Sequence, residues 1–260
     1  MQYQSTVFGQ LLKAVPRGWF ERTARAHASG RAKRRLSAFG HVVTMVAAQL
    51  SGARSLRDLE GLLVRQPGVL AHLGLCRVAR TTLSDANASR PAGLFEAVAA
   101  QLCAGFGGSK LGRDALRLID ATRIVAGKRV AAWAKGGVKL HLGFDPAAER
   151  PVWFAVTRHR VNDITPAKAT MPIEPGLTYI FDKAYYDFSF WAKLHQAGCR
   201  FVTRLKKNSP VEIVRERKAK GEGILFDRLV RLSARLAGQR RNPFRAKARL
   251  IGVKLDNGTQ

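Results

Sequence analysis

Residues 116–124 read LRLIDATRI, a short apolar run that contains one acidic residue, Asp120. Two further runs follow it along the chain, VKLHLGFD at 138–145 and VWFAVTRH at 152–159. The first of these alternates strictly between apolar and other residues, as a strand with one buried face does. Because the connections between the three runs are short, the sequence predicts an antiparallel three-stranded meander.

Helix and strand signals alternate after the meander. A helix is predicted at about 163–170, followed by a strand, LTYIFD, at 177–182. A second helix is predicted around Phe188 and ends before Gly198, and a fifth strand, CRFVTRL, is predicted at 199–205. Three antiparallel strands followed by alternating helix and strand indicate an α/β layered core.

The first hundred residues carry helical periodicity instead. Apolar positions keep helical spacing from Ser37 to Leu50, and Ser55 is placed to cap the next helix. The polar segment RTTLSDANASR lies between apolar helices, with Arg80 and Arg90 at its ends. It predicts either a helix that enters a DNA groove or a capped surface helix, and the residues favour neither.

The changes in periodicity and composition along the chain predict four segments. Residues 1–104 form a helical N-terminal DNA-binding domain, and GFGGSKLG at 105–112 forms a linker that lacks the spacing of a phosphate-binding loop. Residues 113–207 form the first part of an α/β core, and residues 208–260 are basic and less regular. The chain ends in a strand signal and an Asn-Gly turn with no returning strand, so we expect it to be interrupted there.

Charge is the strongest global signal. The 260 residues include 45 Lys and Arg but only 18 Asp and Glu, which gives a formal net charge of +27. Such a field attracts polyanions, which favours nucleic acid as partner over an anionic membrane or a role in solubility alone. The cysteines, Cys76, Cys103 and Cys199, have no zinc or disulfide spacing. Without an apolar run of roughly 18 residues, a cytoplasmic protein with no membrane partner is expected.

Two aspartates are candidates for chemistry. Asp120 lies inside one predicted strand and Asp182 ends another, and a buried carboxylate is costly unless it is paired or bound to a metal. If the strands are neighbours, both carboxylates meet at one sheet edge, where they suit Mg²⁺ or Mn²⁺ and phosphodiester chemistry. The alternative is that Asp120 caps a turn toward Thr122 and Asp182 pairs with Lys183. Spacing alone does not decide between these interpretations.

The ordered set IDATRI, VKLHLGFD, FDKAYYDFSFW and CRFVTRLKKN resembles the DDE transposases of bacterial insertion sequences, specifically the insertion-sequence-four family. The earlier segments SLRDLEGLL, HLGL and RTTLSDANASR are similar to the helical part that precedes the core in that family. The resemblance therefore covers essentially the whole chain.

This resemblance implies a ribonuclease-H-like mixed-sheet core that a β-rich insertion interrupts from residue 208. It implies Asp120 and Asp182 as the first two acidic ligands of Mg²⁺ or Mn²⁺. It further implies metal-dependent cleavage and transfer of double-stranded DNA at the element ends and the target. A homodimer on DNA and association with the bacterial nucleoid are expected with it.

Several residues are predicted to contact DNA. Tyr185 has the aromatic position that follows the second aspartate in the family, with packing beside Tyr186 as the alternative. Arg204, Lys206 and Lys207 follow the fifth strand and either hold phosphates or form a solvated basic cluster. The further predicted contacts are Arg80 and Arg90. His141 alternates with its apolar neighbours and points either toward the catalytic face or toward solvent.

One departure from the family matters. Its late signature, Tyr-x2-Arg-x3-Glu-x6-Lys, is absent, because no late acid has Tyr and Arg at the required offsets. These acids are Glu212, Glu216, Glu222, Asp227 and Asp256. We therefore expect a C-terminally truncated transposase without its third acidic ligand, which binds DNA and cuts it poorly. The alternatives are a non-catalytic DNA-binding derivative that competes with or inhibits a transposase and, less favoured, a nuclease of the same fold.

Overall fold

The computed structural model separates the chain into two units, residues 1–108 and 109–260. The described residues are 7–27, 36–65, 77–105, 115–125, 136–234 and 241–254. Among them, no helix is long and apolar enough to cross a membrane.

The described part of the first unit is helical. Its helices are α1 (Val7–Leu12), α2 (Arg17–Ala26), α3 (Ala38–Leu50), α4 (Leu56–Arg65), α5 (Arg80–Ser89) and α6 (Ala92–Gly105). The predicted cap at Ser55 is confirmed, since Ser55 Oγ accepts from the Asp58 N–H at 3.1 Å. Ser37 Oγ caps α3 in the same way and accepts from the Gly40 N–H at 2.9 Å. A further short helix predicted near Leu70 and Leu73 lies outside the described residues.

Helix α3 is the centre of this unit. Val43 packs with residues of α4 and α5, and Val42 packs with residues of α2 and α6. His41, on the same helix, is fully buried, and its Nε2 lies 2.7 Å from Asn87 Oδ1. Burial lowers the pKa of His41, and the nearby Arg90 adds to this while the Asn87 bond opposes it.

The second unit contains a five-stranded mixed sheet. Its elements are β1 (Leu116–Ile124), β2 (Val138–Asp145), β3 (Arg150–Arg158), α7 (Ile164–Thr170), β4 (Thr178–Phe181), a 3-10 turn (Lys183–Tyr185), α8 (Phe188–Gln196) and β5 (Arg200–Val202). The strand order is β3-β2-β1-β4-β5. The predicted antiparallel meander is confirmed, and β1–β4 and β4–β5 are parallel. The fifth strand is shorter than predicted, because its pairing with β4 ends at Val202.

The helices cover one face of this sheet. Ile119 and Phe181 point into that face and share a core with Trp153, Trp191 and Leu194. The opposite face is open, and Leu118, Val156 and Val202 are 37%, 43% and 56% exposed on it. Each strand therefore alternates between a covered and an open side.

A second sheet follows. It contains the antiparallel strands β6 (Val211–Arg217), β7 (Ile224–Leu232) and β8 (Lys247–Val253) in that order. Leu232 and Phe244 join the core of the first sheet, where the Phe244 ring lies 6.2 Å from that of Trp191. The two sheets of this unit are therefore packed on a common core.

Candidate functional site

Asp120 and Asp182 lie at the same end of the five-stranded sheet. In the parallel pairing of β1 with β4, Ile119 is opposite Phe181. Asp120 and Asp182 are the next residues of the two segments, and Asp182 keeps an extended backbone, with φ −82° and ψ −179°. Neighbouring strands are about 4.8 Å apart, so this register places Asp120 and Asp182 next to each other.

Asp120 is exposed rather than buried, which corrects the expectation of a buried strand carboxylate. The reason is the alternation along β1: Ile119 takes the covered face, so Asp120 must take the open one. Within the described residues, Asp120 has no ion pair and makes no hydrogen bond to Thr122. The turn-capping alternative for Asp120 is therefore absent from this structure.

Asp182 is held by hydrogen bonds at both its side chain and its backbone. Its Oδ1 accepts from the Ala184 N–H at 2.8 Å, and its carbonyl accepts from Thr203 Oγ1 at 3.2 Å. The predicted alternative, a pair with Lys183, is not among its contacts in the described residues. The side chain instead caps the 3-10 turn that follows β4, which fixes the position of the carboxylate.

Tyr185 lies in the core rather than at the surface. It is fully buried, and its ring centroid is 5.8 Å from that of Phe181. Burial raises the pKa of Tyr185, and the carboxylates of Asp163, Asp120 and Asp182 raise it further. A buried ring cannot touch DNA in this conformation, so packing, against Phe181 rather than Tyr186, describes Tyr185 better than the predicted DNA contact.

A third carboxylate near this end of the sheet belongs to Asp163, which sequence reasoning treated only as the start of a helix. Its Oδ1 lies 2.6 Å from Lys139 Nζ and 3.9 Å from His141 Nδ1. His141 is fully buried, and burial lowers its pKa, with the Asp163 carboxylate opposing this and Lys139 adding to it. His141 therefore points neither toward the carboxylate pair nor toward solvent. The alternation of VKLHLGFD, which puts Lys139 and His141 on one face, is the signal that could have found this cluster.

The donor set of the pair suits a hard divalent cation. Mg²⁺ is held in many proteins by one or two carboxylates, and water and phosphate oxygens complete its shell. Within the described part of the chain, no group of three His, Cys, Asp or Glu side chains could hold a metal ion. Asp120 and Asp182 supply two carboxylates of the kind that such an ion uses, whereas Asp163 is engaged by Lys139.

The basic residues after β5 lie near Asp182. Arg204, Lys206 and Lys207 are all exposed, and the residue before Arg204 is the Thr203 that binds the Asp182 carbonyl. The Lys206 ammonium lies 4.7 Å from the centre of the Tyr186 ring. The structure thus brings cations to the sheet end that carries the carboxylates.

The two arginines of the first unit have different environments. Arg80 is exposed at the start of α5, and its backbone N–H donates to Glu60 Oε1 at 3.0 Å. Arg90 is half-buried, donates from Nη2 to the Leu36 carbonyl and has its pKa lowered by burial. Arg80 is available to a ligand, whereas Arg90 links two parts of the helical unit.

Comparison with known proteins identifies the class. Residues 112–253 match the family described as "Transposase DDE domain", and residues 3–76 match one described as "Domain of unknown function (DUF4372)". The first match covers more than half of the chain, so the chain belongs to the transposase DDE domain family. The prediction of a transposase is confirmed at this level.

One relative extends the comparison. A protein of Sinorhizobium fredii described as "Putative transposase y4zB" is 38% identical over 165 residues. The alignment covers 59% of this chain and 46% of that protein, so the chain spans a little under half the length of the relative.

Proposed function

We propose that this chain binds double-stranded DNA as a transposase of the insertion-sequence-four type, and that its phosphodiester chemistry is centred on Asp120 and Asp182. The parallel register that brings the two carboxylates together is the observation that carries the proposal. The family match and the net charge of +27 support it. The five-stranded mixed sheet, with β1 parallel to β4 and β4 parallel to β5, is consistent with a ribonuclease-H-like core.

The side chains of the site have distinct tasks in this proposal. Asp120 and Asp182 would hold Mg²⁺ or Mn²⁺, which when bound supplies activation of a nucleophilic oxygen and stabilisation of the leaving oxygen. Hydrogen bonds from Ala184 and Thr203 orient Asp182. Arg204, with Lys206 and Lys207, would bind DNA phosphates next to the carboxylates.

The rate of cleavage should be low for these 260 residues. Within the described residues, no third His, Cys, Asp or Glu side chain joins Asp120 and Asp182 in a group that could hold a metal ion. A lost ligand removes stabilisation that acts mainly in the transition state. The proposed activity of this chain is therefore strong DNA binding with weak metal-dependent cutting. A homodimer on bacterial nucleoid DNA belongs to the same proposal.

The proposal is tested by measuring Mn²⁺ binding to the full chain by electron paramagnetic resonance. We expect the substitutions Asp120→Asn and Asp182→Asn each to weaken binding at least about tenfold, because each removes a charged oxygen ligand. Glu222→Gln is the matched control, since Glu222 is an exposed acid in a turn of the second unit. Equal Mn²⁺ affinity in all the proteins would contradict the proposed site.

A second candidate function is a DNA-binding derivative without catalysis, which would compete with or inhibit a transposase. The engagement of Asp163 by Lys139, which leaves a pair rather than a triad, favours it. In that case DNA affinity survives the double substitution Asp120→Ala with Asp182→Ala, and neither cutting nor end joining is detected for the unsubstituted chain. Magnesium-dependent strand transfer by the unsubstituted chain would rule this candidate out.

A further inference from the structure

The three-stranded sheet presents one strongly basic face. Residues paired across antiparallel strands share a face, so the register of β7 with its two neighbours defines the surface. Its cross-strand rows are Arg217–Asp227–Ile251, Arg215–Leu229–Arg249 and Glu212–Arg231–Lys247. Cations therefore occur in every row, and the opposite face carries Val230 and Leu232, which are buried.

A β-bulge in β6 gives this face two of its arginines. Ile213 pairs with Val230 and Arg215 pairs with Leu229, so Val214 is the extra residue. In an unbroken register Arg215 would pair with residue 228 and share the side of the sheet that Val230 buries. The bulge instead turns Arg215 and Arg217 to the exposed side, which is a known way of re-aiming side chains.

A buried carboxylate orients the centre of the face. Asp227 is 4% exposed, and Arg249 donates to it from Nε at 3.0 Å and from Nη2 at 2.8 Å. Arg217 Nε lies 3.6 Å from the same carboxylate. The side chains of Arg217 and Arg249 remain 50% and 54% exposed, so guanidinium N–H groups stay available to a ligand. The bond to Arg249 lowers the pKa of Asp227, which keeps this arrangement ionised.

The face is concave at this point. The basic residues that line the concavity are Arg215, Arg217, Lys218, Lys220 and Arg249. Its two acids are engaged, since Asp227 binds Arg249 and Glu216 lies 2.8 Å from Arg228 Nε. Five cations in one concavity repel one another, and a bound polyanion would relieve that repulsion.

We propose that these five residues, named here the basic face, form a second DNA-contact surface that binds the phosphate backbone of duplex DNA without reading its bases. Arginine and lysine side chains bind phosphate oxygens, and this gives affinity without sequence information. The cross-strand rows contain no aromatic side chain for stacking single-stranded bases, which favours a duplex. The inference rests on the proposed function for the identity of the polyanion.

The test compares two double variants of the full chain. Arg215→Gln with Lys218→Gln removes one Arg and one Lys from the basic face, where neither side chain has a hydrogen bond or ion pair among the described residues. Arg160→Gln with Lys193→Gln removes the same charges from exposed positions outside the face. Circular dichroism melting establishes that both variants are folded.

Duplex DNA of random sequence is then titrated by fluorescence anisotropy at several salt concentrations. We expect the face variant to bind about tenfold more weakly than the control variant and to lower the slope of log affinity against log salt by about 2. Equal affinities and slopes for the two variants would overturn the inference. Tighter binding of the unsubstituted chain to single-stranded RNA than to duplex DNA would overturn the assignment of the ligand.

Mn²⁺ affinity separates this inference from the proposed function. The face variant should bind Mn²⁺ like the unsubstituted chain, because its substitutions leave Asp120 and Asp182 in place. If the face variant binds DNA normally while Mn²⁺ still needs both aspartates, the basic face is wrong and the proposed function stands. If DNA binding falls as expected but the substitutions of Asp120 and Asp182 leave Mn²⁺ affinity unchanged, the proposed metal site is wrong and the basic face stands.

Discussion

The two sheets of the second unit place their charges in opposite ways. The five-stranded sheet brings Asp120 and Asp182 together with no cation paired to either within the described residues. The three-stranded sheet surrounds one carboxylate, Asp227, with the guanidinium groups of Arg217 and Arg249. A strand aspartate is therefore a candidate metal ligand only where the protein leaves its charge uncompensated, and otherwise it organises the structure.

The largest effect that this comparison predicts concerns Asp145, a buried aspartate. It is 1% exposed, and Arg117 Nη1, on an equally buried side chain, lies 2.9 Å from it. Asp145→Ala would leave a buried cation without this partner, so we expect the free energy of unfolding to fall by about 3–5 kcal/mol. Asp120→Asn should change it by less than about 0.5 kcal/mol, as an exposed substitution does. Urea unfolding measures both, and a similar loss for the two would contradict the contrast.

The next largest expected effect is the stabilisation of the folded chain by bound Mn²⁺. A ligand that binds only the folded state adds about 2.7 kcal/mol at a hundred times its Kd. Mn²⁺ at that excess should therefore raise the melting temperature of the unsubstituted chain, and should do so much less for Asp182→Asn. Calorimetry with and without Mn²⁺ measures this. An equal rise in both proteins would show that the ion binds elsewhere.

Much of the fold was predictable because alternation is a strong signal. LRLIDATRI and VKLHLGFD were predicted with the boundaries that β1 and β2 have. The exposure of Asp120 was not predictable, because a strand pattern does not say which face the helices cover. The bulge at Val214 was also missed, because the sequence analysis interpreted residues 208–260 only as basic and less regular and predicted no strand at 211–217. Asp120 and Asp182 lie close together only if their strands are neighbours in the sheet. The sequence analysis did not determine the strand order, so it could state this only as a condition.

Buried histidines should make stability sensitive to mild acid. Burial lowers the pKa of both His41 and His141, so the unfolded chain binds these protons more readily. Stability is then retained above the unfolded value near 6.5 and falls as pH decreases below it, by up to about 1.4 kcal/mol per pH unit per histidine. Urea unfolding at pH 7 and pH 5.5 tests this. A stability that is unchanged or higher at pH 5.5 would contradict it.

Asp187 gives the smallest expected effect and a third kind of aspartate, a helix cap. Its Oδ1 accepts from the Phe190 N–H at 2.8 Å at the start of α8. Asp187→Ala should cost about 1 kcal/mol, and Asp187→Asn should cost less, because Asn also caps helices well. Thermal unfolding ranks the variants, and the reverse order would show that charge matters more than capping.

The pKa of Asp187 gives this cap a pH dependence. Burial raises that pKa, but the hydrogen bonds from Ser189 and Phe190 and the Lys168 ammonium lower it more, so the net direction is downward. The contribution is therefore complete above the unfolded value of 3.8 and is lost as the pH falls through the lower folded value. The stability difference between Asp187→Ala and the unsubstituted chain should shrink in that range and stay constant above pH 5.

The central claim, that Asp120 and Asp182 together hold a divalent cation, is tested most directly by replacing that cation with Fe²⁺. Ascorbate and hydrogen peroxide then generate radicals at the bound iron, which cut the backbone nearby. We predict cuts around residues 120 and 182, suppressed by excess Mg²⁺ and abolished by Asp120→Asn. Cuts elsewhere, or cuts at these positions that persist in Asp120→Asn, would contradict the account.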